Sequence, residues 1–69
     1  MQELTLEEKR DIVIQRMHQC QRELYLNNLN EKLESSVPGQ EDRAKFYKEE
    51  AARAYAMYLL LEQELALLV

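Results

Sequence analysis

Ser35-Ser36-Val37-Pro38-Gly39-Gln40 holds the only proline and the only glycine among the 69 residues, and everything on either side of it reads as helix. Proline followed by glycine is among the strongest local breakers of regular structure, so the chain has one predicted turn, at residues 35–40. Before it, a helical pattern runs from about residue 6 to 34. It opens with a capping box, in which Thr5 accepts from the Glu8 N–H while the Glu8 carboxylate reaches back to the Thr5 N–H. Asn27, Asn28 and Asn30 form a soft place in this helix, since asparagine is a poor helix former. After the turn a second helix is predicted over about 41–68, its positive end matched by Glu41 and Asp42. Two helices of nearly 30 residues joined by so short a connection lie antiparallel. The predicted fold is all-α, one helical hairpin over residues 1–69.

Composition supports this and narrows the function classes. Glu, Leu, Ala, Gln, Lys and Arg dominate, as in helical proteins, and strand-forming residues are sparse. A formal charge of −4 disfavours nucleic-acid binding, which needs a basic face for phosphates. The longest apolar run, Ala54 to Leu61, falls far short of the roughly 20 residues that cross a bilayer. Only Glu62 and Glu64 carry charge from Ala54 to Val69, which argues against a helix lying on anionic lipid. The acidic first eleven residues carry no leader pattern. With one cysteine there is no internal disulfide, and a lone thiol fits a reducing, cytoplasmic setting.

Helix 2 carries an unbroken seam at alternating spacings of three and four: Ala44, Tyr47, Ala51, Ala54, Tyr58, Leu61, Leu65 and Leu68. The matching stripe on helix 1 is Leu6, Val13, Met17, Cys20 and Leu24. Folding about the turn is expected to oppose residues whose numbers sum to about 75, setting Leu24 against Ala51, Cys20 against Tyr55 or Ala54, Met17 against Tyr58 and Val13 against Leu61. Tyr25, Tyr47, Tyr55 and Tyr58 are then expected to cluster toward the turn as core packing, hydroxyls at the rim. Glu41 with Lys45, Lys45 with Glu49, and Glu49 with Arg53 have the spacing of helix-surface ion pairs.

A second apolar set remains. Phe46, Met57, Leu60 and Leu67 lie on another face of helix 2, widened by Leu59 and Ala66 and interrupted by Arg53 and Glu64. On helix 1, Leu26, Leu29 and Leu33 lie almost opposite the first stripe, with Ile14 and Tyr25 between. Leaving such side chains in water forfeits about 1.5–3 kcal/mol each, more in sum than the few kcal/mol a core of this size supplies. Phe46, Met57, Leu60, Leu67, Leu26, Leu29 and Leu33 are therefore the expected partner interface, and the simplest partner is a second hairpin in an antiparallel four-helix bundle.

No chemistry competes with that reading. His18 and Cys20, two apart on a helix, point in nearly opposite directions and share no site. Cys20 is expected in the core and His18 at the surface. The neighbouring carboxylates Glu7-Glu8, Glu41-Asp42 and Glu49-Glu50 diverge and form no acid–base pair. No phosphate loop, zinc spacing or catalytic triad is present, so neither cofactor, metal nor enzymatic activity is expected.

The helix 2 run of Phe46-Tyr47, Ala51-Ala52 and Ala54, aliphatic thereafter, resembles, with the length and the hairpin, the small helical-hairpin co-chaperones of type III secretion needle subunits. The resemblance spans most of the chain in shape and carries over no functional residue. It implies a cytoplasmic bacterial protein whose apolar faces pair with a larger helical-repeat chaperone. Three functions follow as expectations: a self-associating adaptor or regulatory module, which the residues favour; a heteromeric subunit or co-chaperone; and a small acidic inhibitor of an enzyme or a DNA-binding protein.

Overall fold

The computed structural model describes residues 3–68. Helix α1 spans Leu6–Ser35 and α2 spans Glu41–Leu67, packed against each other with no strand among the described residues. The hairpin is a rod, 53 × 20 × 17 Å. Both boundaries fall within one residue of expectation, and α1 runs unbroken through the asparagines. Of the unit expected over 1–69, residues 1, 2 and 69 lie outside the described residues.

The connection follows from its residues. Pro38 holds the second position of a turn and Gly39 the third, at φ 88°, with the Gln40 N–H donating to the Val37 carbonyl at 3.3 Å. This is the arrangement of a type II turn, whose third position needs the left-handed backbone that glycine adopts without strain. Ahead of it the serine hydroxyls close α1: Ser35 donates to the Glu31 carbonyl at 2.6 Å and Ser36 to the Leu33 carbonyl at 2.8 Å. At the other end the capping box is present with both bonds at 3.1 Å.

Packing rests on one seam. Val13, Cys20, Ala44, Ala51, Ala54 and Leu61 are its buried residues, with Met17, Leu24, Tyr47, Tyr58, Leu65 and Leu68 half-buried beside them. Val13, Cys20 and Leu61 form the core cluster, against which Met17, Tyr58, Leu65 and Leu68 pack. Leu61 thus sits between Val13 and Cys20, at the level of Met17. The Gln21 amide, reaching the Tyr58 hydroxyl at 3.4 Å, agrees with that level. Opposed residues accordingly sum to about 78 rather than 75.

Several expectations are corrected. Leu6 is 52% exposed, because α2 ends at Leu67, level with about residue 11 of α1, and does not reach it. Between Tyr55 and Ala54 it is Ala54 that occupies the seam, with Tyr55 outside. The tyrosine cluster does not form: Tyr25 is 68% exposed, and the close aromatic pair is Phe46 with Tyr47, ring centroids 5.4 Å apart and edge to face. Arg53 pairs with Glu50 at 3.3 Å, three residues back, and not with Glu49. Glu41 accepts from the Gly39 N–H at 3.4 Å and is not paired with Lys45.

Two outcomes test this packing. Ala54→Leu forces a larger side chain into a buried seam position and should destabilise by about 1–3 kcal/mol in urea melts. The Thr5 bonds, backbone first and then hydroxyl, hold the Glu8 carboxyl below its ordinary value of 4.5. A depressed carboxyl stabilises the folded state above its unfolded value and ceases to do so as pH falls through the lowered folded value. Protection of the amides at the start of α1, measured as exchange relative to the intrinsic rate at each pH, should therefore fall only on acidification below the usual glutamate range, and Glu8→Gln should remove that change in protection.

Candidate interaction surface

The seam divides the hairpin into two sides. Side chains one residue before each seam position lie about 100° to one side of it, and antiparallel packing brings those of both helices to the same side of the rod. A groove lined by Arg16, Gln19 and Glu23 with Met57, each immediately before a seam residue, bears this out, with Cys20 and Leu61 at its floor. A second groove, lined by Glu31, Ala44, Lys45, Lys48, Glu49 and Ala52, opens on the opposite side.

The seven residues expected at the interface are all exposed, from 41% for Leu29 to 86% for Leu67. Six of them share the first side: Leu26 and Leu33 of α1 precede the seam positions Asn27 and Glu34, while Phe46, Met57, Leu60 and Leu67 precede Tyr47, Tyr58, Leu61 and Leu68. Leu29 stands farther round, on the outer surface of α1. Ile12 belongs with the six, since it precedes the buried Val13 and is itself exposed. Its position beside Val13 was the signal available in the sequence. The opposite side carries Ile14, Tyr25, Tyr55 and Leu59, among Lys32, Lys45 and Lys48, and is the more polar of the two.

The turn half of α1 explains why these leucines point outward. Beyond Leu24 the seam spacing continues through Asn27, Glu31 and Glu34, and these polar residues, with Asn30, are the half-buried ones. Opposite them α2 supplies Ala44, Tyr47 and Ala51. Alanines approached by short or flexible polar side chains bury little apolar area, and the leucines of this half are left for another surface.

The charges on the first side are Lys9, Arg16, Arg43 and Arg53 against Glu23, Glu50 and Glu64, close to balance in a chain of net charge −4. No pocket chemistry accompanies them. Among the described residues no group of three His, Cys, Asp or Glu side chains gathers to hold a metal ion, and His18 is exposed while Cys20 is buried as a free thiol. No described helix is long and apolar enough to cross a membrane.

Comparison with protein-family models, curated proteins and solved structures gives no match to this chain.

The polar turn half of the seam leads to a direct test. Glu31→Leu should fill the groove above Ala44 with apolar volume and raise hairpin stability by about 1 kcal/mol in urea melts, the reverse of what an added leucine does at Ala54.

Proposed function

We propose that this chain is a non-enzymatic protein–protein interaction module, a helical hairpin that self-associates into a four-helix bundle and acts as a small adaptor or regulatory protein of the cytoplasm. The observation that carries this reading is the gathering of Ile12, Leu26, Leu33, Phe46, Met57, Leu60 and Leu67 on one exposed side. Seven large apolar side chains on one side of so small a rod mark a binding face, because burying them is worth more than the hairpin's own core can supply. The lone buried thiol of Cys20 accords with a reducing, cytoplasmic setting.

A heteromeric subunit or co-chaperone is the second reading, favoured by the thinness of the core. No large side chain among the described residues is fully buried. Under this reading the isolated chain is a partly molten monomer that a co-expressed helical partner renders cooperative.

Sedimentation equilibrium of the purified chain at micromolar concentration separates the two, a dimer with a cooperative melt supporting the first. Leu60→Glu should then raise the dissociation constant by about a hundredfold or more while much of the helical circular dichroism remains. A well-folded wild-type monomer at that concentration would defeat the self-association reading.

A further inference from the structure

The exposed side described above has a definite sequence of charge and apolarity along the rod, and its central part is symmetric. Along α2 it reads Glu50, Arg53, Met57, Leu60, Glu64, Leu67. Reflected about a point midway between Met57 and Leu60, Met57 exchanges with Leu60 and Arg53 exchanges with Glu64, while at the ends of the run Glu50 falls opposite Leu67. In the central four residues an apolar residue meets an apolar one and a cation meets an anion.

The register of the hairpin carries the same level across to α1 between Gln19 and Cys20, because opposed residues sum to about 78. About that level Arg16 exchanges with Glu23, and Ile12 falls within one residue of exchanging with Leu26. Both Ile12 and Leu26 are exposed in the hairpin. One axis height, chosen on α2 alone, thus matches charge with countercharge and apolar with apolar on α1 as well.

We propose that the surface is covered by a second copy of this chain, laid antiparallel across it on a two-fold axis perpendicular to the rod that passes between Met57 and Leu60. This rests on the self-association reading and specifies its geometry. Arg53 of each copy meets the partner's Glu64, and Arg16 meets the partner's Glu23. Arg53 is free to do so: its side chain is 77% exposed and its bond to Glu50 is a surface contact at 3.3 Å.

Three considerations choose this occupant and this arrangement. The rod offers a face of about 1,000 Å² per copy from its 53 × 20 Å extents, above the roughly 800 Å² per partner of a standard interface. The face is nearly neutral although the chain is acidic, so a second acidic copy meets no net repulsion there. The other two-fold stacking, with its axis along the rod, lays α2 on the partner's α1 and, at the same register, sets Leu60 over Gln19 and Met57 between Gln19 and Glu23. That arrangement leaves the two central apolar side chains of α2 on polar ones, whereas the perpendicular axis sets them on each other.

Charge reversal tests the axis. In low-salt sedimentation equilibrium, Arg53→Glu alone and Glu64→Arg alone should each weaken dimerisation by about tenfold or more, since each sets like charges together twice across the axis. Mixed in equal amounts, the two variants should recover near wild-type affinity as a heterodimer, because both junctions then pair opposite charges. Recovery on mixing also keeps the test valid if either variant is poorly folded alone. Unchanged dimerisation of the single variants, or no recovery on mixing, would overturn the axis while leaving self-association standing. Recovery of Arg53→Glu by Glu23→Arg instead would overturn it in favour of stacking along the rod. A wild-type monomer would overturn the self-association reading itself.

Discussion

Two helices lying side by side share a single line of contact, and the rest of this molecule is shaped by that geometry. Each helix can turn only one stripe toward the other, whatever its composition. Here the line is occupied by Val13, Cys20 and Leu61 at the open end and by Ala44, Ala51 and Ala54 toward the turn. The large apolar residues off this line are on the outside because a third layer is lacking, not because they suit water. Exposed leucines are unremarkable singly; a row of them on one side of a rod is different.

The parts of the fold that depend on short-range chemistry were legible. Pro38-Gly39 allows few backbone arrangements, and Thr5 with Glu8 forms a reciprocal pair from its spacing alone, so the turn and the start of α1 stand where the residues indicated. The register was less legible. It is set by which side chains meet across the seam, Leu61 between Val13 and Cys20 and Tyr58 beside Gln21, and the stripe on either helix alone fits more than one such alignment. The seam beyond Leu24 escaped for a related reason. Asn27, Glu31 and Glu34 keep the spacing of three and four, but a search for apolar residues passes over them and ends the stripe too early.

The candidate surface shows the same division. The offset of Phe46, Met57, Leu60 and Leu67 from the α2 seam is a matter of angle and was readable from numbers alone. That Leu26, Leu33 and Ile12 join them on one side required the antiparallel packing, which decides which edges of two helices become neighbours. The tyrosines were misjudged because proximity along a helix was taken for proximity across it. Tyr25 and Tyr55 both follow seam residues, and both turn out toward water.

The placement of the larger apolar side chains has a consequence for how the hairpin assembles. The cluster of Val13, Met17, Cys20, Tyr58, Leu61 and Leu65 is remote from the turn, while the segment adjoining the turn offers alanines and polar groups. Zipping outward from the bend gains little at each early step, since little apolar area is buried there. The rewarding contacts instead close a loop of roughly fifty residues, whose entropy cost is met before they form. Both helices then have to be largely built as separate arms before they dock, so the rate of closure follows the helical propensity of each arm more than the quality of the turn that joins them.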